Sequence, residues 1–541
     1  MTPPPDRGEG FSARGERWAV ATPHPYASEA AAGAFASGGN AVDAALHAAM
    51  ALAVVYPHMC GVGGDLFALV QNPDGKLVSI DSSGRAPAGA DPDGLRAVHG
   101  TTMPDAGRAT ITVPGAIGGW EALHRQGATL PWREAFRAAI EAAEGFPVSR
   151  DLAWSIDRRA DELRSDPGFA EVVLADGVPS EGDRLVQPAL ARTLRVLAED
   201  GADAFYVGDL GTRFVDGLRA LGTPISTDDL AGHTADLLSP LRGRYRDLDV
   251  SVTPPASQGF VLLEALAAVE RLEIDPDPIG SDATTLARIL VAASSDRDRH
   301  LADPRAMTIH VPGLLDDGHI AALCDVVLGG LTGHPGSSSV RDHVLGRPHV
   351  PGDTVALVTA DADGWGVSLI QSLYSGFGAG ILEPSTGIVP HDRGACFTLE
   401  PGHPNELAPG KRPAHTLMSV AVHRDGDLVA LAGTRGGYAQ PQIDLMTLVR
   451  AFDLGLNPSD AVGGPRWLVG GMAPLRGEEP WIQAEGSVPE HVRASFGREG
   501  FRVEPLDHED RAVGHAQLLR LDGGVLSVGS DPRADGGALA S

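Results

Sequence analysis

Residues 351–374 read PGDTVALVTADADGWGVSLIQSLY. Two runs, TVALVTAD and WGVSLIQS, alternate apolar and polar residues with the period of a strand, and Asp363-Gly364 turns one into the other. Thr354 follows Gly352-Asp353 and opens the first strand. As filler it is a β-branched residue that suits a pleat. As a nucleophile its hydroxyl needs a base beside it, and one solution is the residue's own α-amine. That amine titrates ordinarily near 7.7–8.0, so it takes a proton at working pH. The solution requires Thr354 to begin a chain. The Asp353–Thr354 bond therefore has to break, by attack of the hydroxyl on its own preceding carbonyl, an acyl shift to oxygen, and release by water. A strand start suits this chemistry, because it holds the hydroxyl at the end of a sheet.

Such a site also needs backbone N–H groups for a developing oxyanion. The stretch GTRGGYAQPQ, 433–442, supplies a candidate. Gly436-Gly437 follows the strand-like DLVALAG and precedes the helix-like QIDLMTLVRAF, so free N–H groups can converge near a helix start. The plainer reading is a glycine turn.

Outward from these segments the texture divides. Near the N-terminus, a strand and the alanine-rich SEAAAGAFASGG are followed by Asn40, placed to cap the helix AVDAALHAAMALAVVY. That helix is apolar nearly all round and should be buried. The strand pair LFALVQNPDGKLVSIDSS turns at Asp74-Gly75. Residues 115–345 read mostly as helix, and from 350 onward short strands dominate around one helix. The early strand pair and the late strands are expected to join in one core.

Composition narrows the function. Of 541 residues 43% are hydrophobic and 5% aromatic, and 71 acidic residues against 43 basic ones give −28. With no basic run, nucleic acid and anionic membranes are poor partners. Cys60, Cys324 and Cys396 are too scattered for a disulfide framework or a zinc site. The polar start, MTPPPDRGEGFSARGERW, has no apolar signal region, so a cytoplasmic location is expected. Neither GVGGDL nor GFGAG has the spacing and context of a dinucleotide fingerprint, and there is no GxSxG or HExxH.

The chain resembles the γ-glutamyltranspeptidases among the N-terminal-nucleophile hydrolases. The resemblance rests on GGNAVDAALHAAMALAVVYPHMCGVGGDLFALV (38–70), TVPGAIGGWEAL (112–123), TPPASQGF (253–260), DRDRHLADP (296–304), the threonine segment, KRPAHTLMS (411–419), GTRGGYAQPQ and GSDPRADGGA (529–538), in the family's order. It implies an α+β fold, a four-layer αββα sandwich with strands from both subunits of a self-cleaved precursor. After a disordered tail, 1–17, the large subunit would run over 18–353 and the small one over 354–541. By the same resemblance Asp353–Thr354 is the cleavage point, Thr354 the nucleophile, Ser372 its hydrogen-bond partner, and Gly436 and Gly437 the oxyanion hole. No metal or organic cofactor is implied.

Departures from the family pattern bear on substrate. Where family members hold a glutamyl carboxylate with arginine, this chain has Ser83, with Arg85 two residues on. Tyr374, Arg393 and Cys396 stand where an ammonium would be held, His415-Thr416 replaces a serine pair, and Arg435 precedes the two glycines. An anion lacking an ammonium would suit Arg85, Arg393 or Arg435. These features resemble the oxamate amidohydrolase branch. The expected partners are a small amide or acyl acid, water or an amine acceptor, and the second subunit of the same precursor. The competing readings are an ordinary γ-glutamyl hydrolase or transferase, a C–C hydrolase, and an unprocessed binding module.

Overall fold

The computed structural model describes residues 10–329, 352–472 and 481–541. Two seven-stranded antiparallel sheets form its centre. The first runs, edge to edge, Ala538–Ala540, Trp18–Ala21, Asp353–Asp361, Gly366–Tyr374, Asp65–Gln71, Leu77–Ser82 and Asp236–Leu238. The second runs Ser12–Gly15, Val525–Ser530, His515–Asp522, Asp427–Arg435, Ser419–Arg424, Leu248–Val252 and Leu241–Tyr245. Strands from before and after Thr354 are thus interleaved in both sheets.

Side-chain alternation along Asp353–Asp361 sets the layers. Val358 and Ala360 pack with Leu69 against Leu431, Leu519 and Val528 of the second sheet. Val355 and Leu357 point the other way, into a core shared with the helices Pro25–Ala36 and Ala41–Val55. Helices Phe260–Leu272, Ala283–His300 and Gln440–Phe452 cover the second sheet through another core. By the same parity Thr354 lies on the inner face, in the row of Ala356 and Val358. It is therefore between the sheets, at the end of its strand.

The helix Ala41–Val55 starts where Asn40 predicts. Asn40 Oδ1 accepts from Val42 N at 2.9 Å, and Asp43 returns a bond to Asn40 N at 3.0 Å, forming a capping box. All its residues are buried. It ends at Val55, because Pro57 disfavours helical geometry at Tyr56.

Several expectations need correction. The tail of 1–17 is ordered in part: Ser12–Gly15 pairs with Leu526–Gly529 as an edge strand, while residues 1–9 lie outside the described residues. The middle is not all helical, since Asp236–Leu238, Leu241–Tyr245 and Leu248–Val252 join the sheets as edge or near-edge strands. Their charged residues face outward, which hid the apolar alternation. The helix Glu490–Arg498 and the parallel pair Trp481–Glu485 and Arg502–Leu506 were also not anticipated. Among the described residues no helix is long and apolar enough to cross a membrane.

Candidate active site

The register between Asp353–Asp361 and Gly366–Tyr374 slips at one place, between Asp353 and Thr354. Thr354 faces Ser372, whereas Asp353 faces Tyr374. Such an irregularity re-aims side chains at a strand end. Tyr374 absorbs it in the left-handed region, at φ +77°. The slip puts Ser372 opposite the Asp353–Thr354 peptide. Thr354 Oγ1 donates to Ser372 Oγ at 3.1 Å, and Ser372 Oγ donates to the carbonyl oxygen of Asp353 at 2.8 Å. Hydroxyl, hydroxyl and carbonyl form a line across one peptide bond. Thr354 is 1% exposed, so in the intact chain this line is closed to solvent.

Ser372 Oγ is held from two further sides. Tyr374 N donates to it at 2.8 Å and Arg393 Nη2 at 3.2 Å. Arg393 comes from the short turn Arg393–Cys396, donates through Nη1 to Thr416 Oγ1 at 2.9 Å, and stacks over the Tyr374 ring at 4.4 Å. Its guanidinium is fully buried and pairs with no carboxylate among the described residues. Cys396 Sγ lies 3.8 Å from Nη1.

Asp65 faces Ser372 across the sheet on the other side. Its carboxylate is already occupied: His415 Nε2 donates to it at 3.0 Å, His391 Nδ1 lies 3.2 Å away, and Gly84 N donates at 3.0 Å. Burial alone would raise its pKa, but the two imidazoles outweigh burial and hold it well below the usual carboxylate range. Burial, helped by the Arg393 charge, lowers His415 to about 3, so its imidazole is neutral. This agrees with Nδ1 accepting from Leu417 N at 3.2 Å.

Gly436 and Gly437 close the far side. The strand Asp427–Arg435 ends there, and Gly437 takes φ +54°, a conformation that suits glycine. Gln258 Nε2 donates to Gly437 O and to Thr416 O, each at 2.8 Å. Gly437 N lies close to Gly352, where an added Cβ would be 3.0 Å from it. The backbone preceding the nucleophile thus passes over the glycine pair. Arg435 reaches the same segment: Nε donates to Gly352 O at 3.2 Å and Nη2 to Asp353 Oδ1 at 2.6 Å.

The structure therefore gathers Asp353, Thr354, Ser372, Tyr374, Arg393, Thr416, Arg435, Gly436 and Gly437. Arg85 and His415 are engaged elsewhere in the intact chain. Arg85 turns to Asp303 Oδ2 and Gly410 O, each at 3.5 Å, and makes no hydrogen bond to the nucleophile pair. His415 serves Asp65 instead. Ser83 is spent on Asp81, donating to Oδ1 at 2.6 Å. Sequence reasoning missed Asp65 and Gln258. Gln258 lies inside TPPASQGF, and Arg297, inside DRDRHLADP, donates to Gln258 Oε1 at 3.3 Å and to Tyr438 O at 3.0 Å. The stretches were visible, but their task of fixing the glycine turn was not.

Comparison with known proteins places the chain in a family. The gamma-glutamyltranspeptidase family profile matches residues 27–541. The chain is 38% identical over 530 residues to the oxamate amidohydrolase proenzyme of Klebsiella pneumoniae, covering 95% of this chain and 97% of that protein. It is 35% identical to a glutathione hydrolase-like proenzyme, YwrD, of Bacillus subtilis, covering 97% and 98%. The solved cephalosporin acylase of Bacillus halodurans superposes with a TM-score of 0.88 at 31% identity, covering 100% and 98%. The two stacked antiparallel sheets are the N-terminal-nucleophile hydrolase fold.

Proposed function

This chain belongs to the gamma-glutamyltranspeptidase family, as one of its hydrolase proenzymes, and we propose that it cleaves itself before Thr354 and then hydrolyses the amide of a small acid that carries no ammonium. The hydrogen-bonded line Thr354 Oγ1, Ser372 Oγ, Asp353 O carries this reading. As Thr354 Oγ1 attacks the Asp353 carbonyl carbon, its proton passes to Ser372, and the Ser372 proton moves toward the carbonyl oxygen. The C–O bond forms; as the tetrahedral intermediate collapses, the proton on the former carbonyl oxygen passes to the Thr354 nitrogen, the C=O re-forms as an ester, the C–N bond breaks, and that nitrogen leaves as an amine. Water then cleaves the ester, freeing the Asp353 carboxylate and restoring the hydroxyl. In later turnovers that amine is the base and the N–H groups of Gly436 and Gly437 receive the oxyanion.

The products are a large subunit ending at Asp353 and a small one beginning TVALVTAD. Together they would form the four-layer αββα sandwich, held by strand pairs such as Asp353–Asp361 with Trp18–Ala21. No metal or cofactor is needed for these steps.

The substrate part rests on charge. Arg393 is a buried cation without a carboxylate, and Asp65, the carboxylate in register with Ser372, is taken by two imidazoles. A monoanionic acyl group satisfies such a site. An ammonium buried beside Arg393 would cost several kcal/mol. The relatives' names include an oxamate amidohydrolase and glutathione hydrolases, so the two classes are to be separated directly. Processed enzyme is assayed side by side on oxamate, glutathione and γ-glutamyl-p-nitroanilide. Preference for the small acid is expected; a large advantage in kcat/KM for a γ-glutamyl donor would replace this reading by an ordinary γ-glutamyl hydrolase or transferase.

A further inference from the structure

We propose that Asp353 is a stand-in for the acyl part of the substrate, and that cleavage hands its receptor, Arg435, to acyl groups with a carboxylate two carbons from the reacting carbonyl. The inference rests on the reading above and fixes the substrate class within it.

Asp353 is the first acyl group that Thr354 carries. Its carbonyl oxygen sits on Ser372 Oγ at 2.8 Å, and its own carboxylate sits on Arg435 Nη2 at 2.6 Å. Only Cα and Cβ separate the two functional carbons, which is the skeleton of a succinyl group. The same guanidinium holds Gly352 O through Nε at 3.2 Å, and Gly352 lies against Gly437. The precursor segment therefore occupies the nucleophile, the glycine turn and a cation together.

The other contacts of Arg435 are neutral. Nη1 donates to Arg511 O at 3.2 Å and lies 3.3 Å from His515 Nε2. Burial and the Arg435 charge push His515 down to about 3, leaving it uncharged. Asp353 is the carboxylate paired with Arg435 among the described residues. The Arg435 side chain is 8% exposed, so it cannot trade that partner for bulk water without opening the site. Cleavage turns Asp353 into a chain end, held no longer by the bond to Thr354. When that end withdraws, a nearly buried guanidinium is left beside the new N-terminal threonine, at the distance a succinyl-type acid spans. Arg393, across Ser372, is then the cation of the reacting centre, and Arg435 reads the far carboxylate. With succinamate as substrate, the amide C–N bond breaks, ammonia leaves, and water supplies the oxygen of the succinate released.

The test uses processed wild-type enzyme and a homologous series: oxamate, malonamate, succinamate and glutaramate, with ammonia release as the readout. The expected kcat/KM is highest for succinamate, by about tenfold or more over oxamate and glutaramate. In Arg435→Gln the ratio of succinamate to uncharged butyramide should fall by about 10²–10³, as for loss of one partner of a buried charged pair. Should that variant fail to process, the wild-type enzyme gives the same answer. Acetyl-Pro-Gly-Asp should inhibit competitively, and acetyl-Pro-Gly-Asn at least about tenfold more weakly. A maximum at oxamate, or equal inhibition by the two peptides, overturns the stand-in while leaving the small-acid reading in place. A γ-glutamyl donor that outruns the whole series overturns the small-acid reading itself.

Discussion

Removing one hydroxyl should stall maturation while leaving the fold standing. Ser372→Ala deletes the atom that bridges Thr354 Oγ1, at 3.1 Å, and Asp353 O, at 2.8 Å. Without it the attacking hydroxyl has no route for its proton, and the carbonyl loses its polarising donor. A positioned proton-transfer group contributes typically about 10²–10⁴-fold, so the half-time of self-cleavage should lengthen by that factor. The stability cost is separate. Tyr374 N and Arg393 Nη2 lose an acceptor in a buried site, at about 1–3 kcal/mol for each group left unsatisfied. Ser372→Thr keeps the hydroxyl and should process far faster than the alanine variant, less an overpacking cost of about 1–3 kcal/mol. The assay is a time course of freshly purified precursor on a denaturing gel, following the 56.1 kDa chain into two bands, with circular dichroism as the control for folding. A folded Ser372→Ala protein that matures at the wild-type rate would refute the relay.

Thr354→Ala should remain a single folded chain without activity, whereas the small chain of the wild type should give the N-terminal sequence TVALVTAD; an active preparation without that terminus would remove the mechanism. Gly437→Ala puts a side chain on a residue at φ +54°, and turnover should drop by about 10²–10³ as the N–H is displaced from the oxyanion. His415 titrates near 3 in the fold and near 6.5 when unfolded, so the unfolded chain binds the extra proton between these values and stability is lost as pH falls below about 6.5. At pH 5 this amounts to about 2 kcal/mol, and His415→Gln should show a shallower decline in urea midpoint from pH 7 to pH 5. Glu264 works in the opposite sense: burial raises it to about 8, so it is neutral in the fold at pH 7, and its contribution is lost as pH rises from about 4.5 toward 8. Glu264→Gln should therefore stabilise by up to about 3 kcal/mol at pH 7 and by little at pH 5, read as a Tm difference between the two pH values.

What was legible from sequence was whatever rests on local periodicity or on a capping residue. The pair around Thr354, the Asn40-capped helix and the turn at Gly436-Gly437 are specified by their own residues. The edge strands of 236–252 are not, because their outward charges break the alternation and they are strands only by virtue of the sheets beside them. The site divides in the same way. Ser372 follows from its place in the paired strand. Asp65 and Gln258 come from other parts of the chain and act by fixing neighbours, which no spacing announces. Arg85 shows the converse: its proximity in sequence to a family position does not announce Asp303, which its guanidinium approaches to 3.5 Å.

The precursor and the mature enzyme set different problems for one residue. Before cleavage the Thr354 nitrogen is an amide and can accept no proton, so the proton has to leave through Ser372. After cleavage the same nitrogen is an amine, and its neighbourhood matters. Arg393 stands on the far side of the hydroxyl that Thr354 touches, and Arg435 reaches the residue that preceded it. Positive charge beside such an amine disfavours its protonated form. On the proposed function, these charges would also favour the oxyanion that follows and repel a substrate ammonium. On the function proposed above, activation of the threonine and selection against a zwitterionic acyl group would be two consequences of the same arginines, Arg393 and Arg435.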